Sequence, residues 1–203
     1  MNILKRAIVV LIAYVSTAFS CQVNNSVVSG HHLINNNVVV SVDVYISPEF
    51  SEREQTNIIK GILMWEKAVD GSLSWRLQKF EPFMTIPAPR GTHEGVQHRT
   101  VLFRRAVSTD DWVIAWQARP ENNRNLIGLC QRDSLYEVAV LWLIEDRLTT
   151  QTDEIVIAAH EFGHALGISH VVDNSSVMST FYTRSTKTLT KHDLDAFFNV
   201  HDR

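Results

Sequence analysis

The sequence is short of three things, and each shortage excludes a class of protein. Among 203 residues there are only two cysteines, which excludes a disulfide-dense scaffold and a zinc finger built on four thiolates. Basic residues are not in excess, since 19 Lys and Arg oppose 22 Asp and Glu, and this balance disfavours a nucleic-acid-binding surface. Apolar runs of membrane-spanning length are also missing. What remains, 45% hydrophobic and 20% charged residues, is typical of one globular domain with a real core.

The N-terminus carries a short apolar stretch that does not belong to that domain. Residues 7–19 are uncharged and follow Lys5 and Arg6, but they are fewer than the roughly 20 apolar residues that a transmembrane helix needs. A basic start, a short apolar centre and small residues at 18–20 are typical of an export signal. Residues 1–20 are therefore predicted to be a signal peptide.

Cys21 follows this segment directly and allows two interpretations. The run Ala18-Phe19-Ser20-Cys21 resembles a bacterial lipoprotein box, which predicts that Cys21 is lipidated, becomes the mature N-terminus and anchors the protein to the cell-envelope membrane. Alternatively, an ordinary signal peptidase cuts nearby, the protein is secreted, and Cys21 pairs with Cys130 in an oxidising compartment. Residues 22–37 are predicted to form a polar tether, and 38–203 the folded domain.

The hydrophobic pattern of residues 38–203 predicts an α+β fold with a mixed sheet. A Ser51–Glu54 capping box begins one helix, residues 152–166 have helical periodicity, and a Thr190–Asp193 box begins a last helix. Alternating or continuous apolar runs predict strands at 38–46, 72–80, 101–103, 112–117, 126–130 and 138–144.

The chemistry is concentrated in residues 160–170, which read HEFGHALGISH. His160 and His164 are four apart, so on a helix their imidazoles lie on one face and can bind one ion. Glu161 can reach a water molecule at that ion without being a ligand itself. Gly167 can end the helix in a left-handed conformation and turn the chain back, which would bring His170 to the ion as a third ligand. Three neutral nitrogens that leave a fourth position open are typical of a catalytic zinc site.

Residues 160–170, followed by Met178, resemble the metzincin clan of zinc endopeptidases, whose motif is HExxHxxGxxH with a nearby methionine turn. The spacing from His170 to Met178, and Tyr182 four residues further on, are similar to the matrixin branch, as is segment 189–198. The resemblance implies a mostly parallel, mixed sheet of five strands, an active-site helix, a C-terminal helix and a cleft across the front.

The resemblance also implies roles for residues around the motif. Met178 would form an apolar floor beneath the ligands, and Tyr182 and Thr180 would line a substrate pocket; Met178 and Tyr182 could equally be ordinary packing residues. Thr180 stands where matrixins usually have proline, which affects the shape of the pocket wall. An extended substrate would add a strand to a sheet edge, which is expected at residues 126–131.

Further metal ions have little support in the sequence. The histidine and aspartate series that holds a structural zinc in matrixins is not apparent. His93 and His98 lie in a proline-rich loop, where they could bind a second Zn²⁺ or simply be exposed loop histidines; Ca²⁺ is a further open question.

The sequence-based hypothesis is a zinc-dependent endopeptidase with one catalytic Zn²⁺ and Glu161 as general base. Its partner would be a protein or peptide substrate, nucleic acid is not expected, and a monomer is the default. Two alternatives remain open: an exported envelope protein that only binds zinc, and a zinc hydrolase with a non-protein substrate.

Overall fold

A computed structural model describes residues 39–80, 92–93, 96–106, 127–133, 137–182 and 187–201. The predicted signal peptide (1–20), Cys21, the tether (22–37) and the predicted strand at 112–117 lie outside these residues. Within the described ranges, no helix has both the length and the apolar character needed to cross a bilayer.

The centre of the fold is a mixed sheet whose main path has the strand order β2-β1-β4-β6-β5. Strand β1 is parallel to both β2 and β4, β4 is parallel to β6, and β5 runs antiparallel to β6. The short β3 pairs antiparallel with β4, off this path. The strands are β1 (Val39–Ile46), β2 (Leu73–Gln78), β3 (Thr92–His93), β4 (Val96–Ala106), β5 (Gly128–Asp133) and β6 (Val138–Ile144). The predicted mixed, mostly parallel α+β architecture is confirmed.

Three α-helices accompany the sheet: α1 (Glu52–Ala68), α2 (Gln151–Ala165) and α3 (Lys191–His201). The predicted capping box at the start of α1 is present, because Ser51 Oγ accepts from the Glu54 amide while the Glu54 carboxylate accepts from the Ser51 amide at 2.8 Å. A 3₁₀ turn (Glu145–Arg147) joins β6 to α2.

Helices α1 and α2 pack closely because α1 carries a glycine at their contact. A Cβ atom on Gly61 would lie 2.7 Å from the Ile155 carbonyl oxygen and 2.9 Å from the Ala159 amide nitrogen. Trp65, four residues along α1, donates its indole N–H to the Ala159 carbonyl at 2.8 Å. Both helices contribute to the same hydrophobic core as the sheet, and this packing fixes the position of α2.

Strand β4 is longer than predicted, since the sequence indicated only residues 101–103. Pairing with β1 on one side and β6 on the other supplies backbone partners along Val96–Ala106, polar residues included. Arg99, which interrupts the apolar pattern, is buried because its guanidinium donates to the Ala165 carbonyl at the end of α2. Strand β5 is also displaced toward the C-terminus relative to the predicted 126–130.

Candidate metal centre

Helix α2 begins at a capping box that the sequence analysis did not identify. Thr150 Oγ1 accepts from the Asp153 amide at 3.1 Å, and the Asp153 carboxylate accepts from the Thr150 amide at 2.9 Å. From this fixed start, His160 and His164 fall one turn apart on the same face, as their spacing predicts.

The helix ends in a Schellman motif built around a glycine. Gly167 has φ of +91°, its amide donates to the His164 carbonyl at 2.9 Å, and the Ile168 amide donates to the Gly163 carbonyl at 3.0 Å. The left-handed residue reverses the chain immediately after the helix. His170 is thereby brought to the two helical histidines.

The three imidazoles converge through their Nε2 atoms. The Nε2–Nε2 distances are 3.1 Å between His160 and His164, 3.2 Å between His164 and His170, and 3.3 Å between His170 and His160. In a tetrahedral zinc site with Zn–N bonds of about 2.0–2.1 Å, neighbouring ligand atoms lie about 3.3 Å apart. The spacing of the three nitrogens therefore fits a zinc ion.

The orientation of the rings fits a cation as well. His160 Nδ1 donates to the Val177 carbonyl at 2.7 Å, and His164 Nδ1 donates to the Ile168 carbonyl at 2.8 Å. A neutral imidazole that donates from Nδ1 has an unprotonated Nε2. Two lone pairs thus face each other at contact distance, an arrangement that a shared cation stabilises.

Burial keeps these histidines in the neutral form that a metal ligand requires. It lowers the pKa of His160 to about 4, with a further contribution from the positive charge of Lys187, and it lowers the pKa of His164 to about 3. The pKa of His170, which is more exposed, is also lowered by burial.

Glu161 lies beside the histidines and is almost completely buried, with 4% of its surface exposed. Its Oε2 atom has no hydrogen-bond partner among the described residues, and burial raises its pKa to about 8. The carboxyl group fits against β5 because that strand has a glycine there: a Cβ atom on Gly128 would lie 2.9 Å from Glu161 Cδ. Sequence reasoning missed Gly128, since a single glycine in a strand carries no specific signal.

Met178 lies behind the helix, against Gly163. A Cβ atom on Gly163 would lie 2.8 Å from the Trp65 ring and 3.1 Å from Met178 Cε, so only glycine leaves room for both side chains. The turn that carries Met178 is held from α3: the Met178 amide donates to Ser176 Oγ at 2.8 Å, and Ser176 in turn donates to the buried Asp193 carboxylate. The sequence did not indicate that position 163 requires glycine, because the requirement comes from contact with Met178, which is 15 residues away.

The metal-ligand candidates open into a cavity of about 750 Å³. Thr180 and Tyr182 line it, but the Tyr182 hydroxyl donates to Asp153, so this side chain is tied to the capping box of α2 as well as facing the cavity. Cys130 on β5 also lines the cavity, and burial raises the pKa of its thiol.

The structure does not bring His98 to this centre, because His98 lies on β4 opposite Ser41 of β1. The side chain of His93 and the whole of Cys21 lie outside the described residues. In the part of the chain that is described, His160, His164 and His170 form the one group of three potential metal ligands.

The sheet is mixed and has an antiparallel outer strand, β5. Helix α2 beside it carries two of the histidines, and the third follows after the turn at Gly167. Together these features are metzincin-like. The matrixin family model matches residues 106–201. Residues 106–201 are therefore similar to the matrixin family.

Individual relatives match shorter stretches. Human stromelysin-3 is 32% identical over 98 residues, which cover 45% of this chain and 18% of that protein. Matrix metalloproteinase-18 of Xenopus laevis is 41% identical over 59 residues, covering 26% of this chain and 13% of the relative. Rat stromelysin-3 is 48% identical over 42 residues, covering 21% of this chain and 8% of the relative. The aligned segment thus spans less than a fifth of each of these relatives.

Proposed function

We propose that the protein is a zinc-dependent endopeptidase in which His160, His164 and His170 hold the ion and Glu161 is the general base. The observation that carries this proposal is the convergence of three Nε2 atoms within 3.1–3.3 Å of one another, in a cavity that is also lined by Glu161, whose buried Oε2 has no partner among the described residues. The matrixin match supports the peptidase class.

His160, His164 and His170 would hold a zinc ion, which would supply a Lewis acid for the scissile carbonyl and would lower the pKa of a water molecule. Glu161 accepts the proton of the attacking water and returns it to the amine of the leaving product. Its Oε2 suits this role, because that atom has no partner among the described residues, and the positive charge of a bound cation would favour the carboxylate form that a base requires.

The substrate is proposed to bind in extended form along β5. This strand is the last on its side of the described sheet and also lines the cavity, through Gly128 and Cys130 among others. A peptide that pairs with such an edge is held mainly through main-chain hydrogen bonds, with side-chain selectivity left to pockets. Thr180 and Tyr182 are proposed to form part of one such pocket.

The segments before the domain are proposed to direct export. Residues 1–20 would be removed as a signal peptide, after which Cys21 is either lipidated in a bacterial envelope or left in a secreted protein. Intact-mass measurement of protein purified from its host tests this proposal. A mature N-terminus within the domain, past residue 38, would contradict it.

The function itself is tested by metal analysis and by digestion of an unfolded generic protein such as reduced casein. The full chain, Glu161→Gln and the control Glu52→Gln, which changes an exposed glutamate at the start of α1, are compared. We expect about one zinc per chain in all three, and cleavage by the full chain and the control only. A loss of about 10²–10⁴-fold in Glu161→Gln is typical of a removed general base.

Two results would contradict the proposal. Zinc binding without cleavage by the unmodified chain would favour a zinc-binding envelope protein or a hydrolase of another substrate. Equal cleavage by the unmodified chain and Glu161→Gln would remove Glu161 from the mechanism.

A further inference from the structure

Lys187 is a buried cation that has no carboxylate partner among the described residues. Only 3% of its surface is exposed, and its Nζ donates to the carbonyl oxygens of Asn174 and, at 3.3 Å, Phe181. Of the ion pairs formed by the described residues, none includes Lys187. An ammonium group has three donors, and these two carbonyls are its acceptors among the described residues, so the third donor has no acceptor among them. Buried lysines without a charged partner are rare, because desolvating the ammonium is costly.

Lys187 lines the same cavity as the three histidines, and the cavity wall is rich in positive charge. Arg147 and Arg132 line it too, and each of them pairs with a carboxylate: Arg147 lies 3.4 Å from Asp146, and Arg132 lies 3.5 Å from Glu137. Among the described lining residues the one carboxyl group is that of Glu161, which is adjacent to the metal-ligand candidates. Of the three cations in this lining, Lys187 is therefore the one without a carboxylate partner among the described residues.

We propose that Lys187 forms a carboxylate-binding subsite in this cavity, so that the preferred substrates are peptides with a carboxylate placed to reach its ammonium. This inference rests on the proposed function, because it assumes that a peptide occupies the cavity. A buried ammonium that already has two neutral acceptors gains most from an anionic third acceptor, since a hydrogen bond between charged partners is about twice as strong as a neutral one.

The carboxylate can come from two sources with the same chemistry. It can be the side chain of an Asp or Glu near the cleaved bond, or the terminal carboxylate of a peptide cleaved close to its C-terminus. The segment that carries the subsite also forms the cavity wall, because Lys187 bonds to the carbonyl of Phe181, whose neighbours Thr180 and Tyr182 line the cavity. The carboxylate would therefore lie in the pocket proposed to receive a substrate side chain.

The first experiment uses the unmodified chain and matched fluorogenic peptides. One series carries Glu, Gln or Leu at each of the three positions on either side of the cleaved bond, with the C-terminus amidated. A second series has no acidic residue and compares a free with an amidated C-terminus. We expect kcat/KM to be about tenfold higher for the carboxylate-bearing member of one series. The first series identifies a side chain as the source, and the second identifies the chain terminus.

The second experiment assigns the preference to Lys187. Lys187→Met should reduce the carboxylate preference to about one, whereas Lys187→Arg should retain part of it. Lys191→Met is the matched control, because Lys191 is exposed and pairs with Asp195 on α3, away from the cavity. A purely structural Lys187 would give equal losses for acidic and neutral peptides in Lys187→Met, and that outcome would overturn the proposal. If this variant does not fold, the first experiment still tests the preference in the unmodified chain.

Binding measurements separate the failure of this inference from the failure of the proposed function. Fluorescence anisotropy with Glu161→Gln, in zinc-loaded and zinc-free protein, should show tighter binding of the carboxylate peptide than of its amide counterpart, with the difference shrinking at high salt. Equal binding of the two peptides, with casein still cleaved by the unmodified chain, overturns the subsite alone. If the carboxylate peptide binds more tightly but no protein is cleaved, the endopeptidase proposal is overturned and the subsite proposal stands.

Discussion

Helix α2 presents His160, Glu161 and His164 to the cavity on one side, and alanines and a glycine to α1 and Met178 on the other. On the cavity side the side chains are polar, their pKa values are displaced by burial, and the Glu161 carboxyl lacks a partner among the described residues. On the rear side, small residues allow Trp65 to reach the Ala159 carbonyl and Met178 to lie against Gly163.

The two sides of the helix therefore contribute to different properties, the cavity side to metal binding and the rear side to stability. Desolvated, neutral imidazoles on the cavity side are costly for folding but suited to metal binding. Close packing on the rear side recovers stability and fixes the helix, so that the ligands stay in place. Changes on the cavity side should therefore alter metal content and activity most, and changes on the rear side should alter the free energy of unfolding most.

The largest effect is expected from His164→Ala, which removes the central ligand of the cavity side. Two remaining nitrogens hold zinc far more weakly, so we expect zinc content near zero after dialysis and no measurable cleavage of casein. Zinc content by atomic absorption or plasma mass spectrometry checks this outcome. The control is His192→Ala on α3, outside the cavity lining, which should keep its zinc. Full zinc occupancy in His164→Ala would contradict the ligand assignment.

On the rear side, Gly61→Ala should lower the free energy of unfolding by about 1–3 kcal/mol, because the new methyl group meets the backbone of α2, which cannot move aside easily. Zinc content of the folded variant should stay near one per chain. Urea unfolding of the zinc-loaded protein measures the stability. A variant with unchanged stability that loses zinc would contradict the expectation that the rear side affects mainly the free energy of unfolding.

Gly163→Ala should lower the free energy of unfolding by a similar amount, about 1–3 kcal/mol, because its methyl group meets the buried Trp65 ring at 2.8 Å and the buried Met178 side chain. The same urea experiment applies. Since Gly163 lies between Glu161 and His164, we also expect zinc affinity to fall measurably, unlike in Gly61→Ala. If both glycine variants leave zinc affinity unchanged, Met178 is a packing residue without influence on the ligands.

The last effect, which is absent at neutral pH and develops only in acid, concerns His201, a buried group that does not line the cavity. Burial, assisted by the charge of Arg99, lowers the pKa of His201 to about 4 from an ordinary value of 6.5. Between these values the unfolded chain binds the extra proton, so the stability contribution is complete above pH 6.5 and is lost as the pH falls toward 4.

We therefore expect the free energy of unfolding of His201→Gln to fall less steeply than that of the unmodified protein between pH 6.5 and 4. The slopes of the two curves differ by at most the uptake of one proton, which corresponds to about 1.4 kcal/mol per pH unit. Urea unfolding at several pH values measures the two slopes. The contribution of the metal-ligand histidines is the same in both proteins and therefore cancels in the difference. Parallel curves would show that His201 does not titrate in this range.

The sequence was most informative where the cause of a structure is local. The one-turn spacing of His160 and His164 and the left-handed residue Gly167 depend on neighbours within a few residues, and their placement follows from helix geometry. The strands β1 and β6 were also predicted nearly to their ends, because β1 alternates between apolar and polar residues and β6 is continuously apolar. Local patterns of this kind are readable without knowledge of the fold.

What the sequence could not show depends on contacts between distant segments. The length of β4 depends on two partner strands, and Gly128 on the carboxyl group of a residue 33 positions later. The burial of Lys187 could not be predicted from a periodic pattern, since this residue belongs to none of the described helices or strands. Tyr182 was expected to line a pocket, but its bond to Asp153 required knowledge of where α2 begins.

The connection from Asp193 through Ser176 to the Met178 amide has a consequence for biosynthesis. The residues that can bind the ion, 160–170, leave the ribosome before the residue that secures the turn behind them. Until Asp193 has emerged and begun the last helix, the rear support of the histidines is incomplete. A nascent or truncated chain that ends before this aspartate would thus carry all three metal-ligand candidates but lack the carboxylate that holds the Met178 turn.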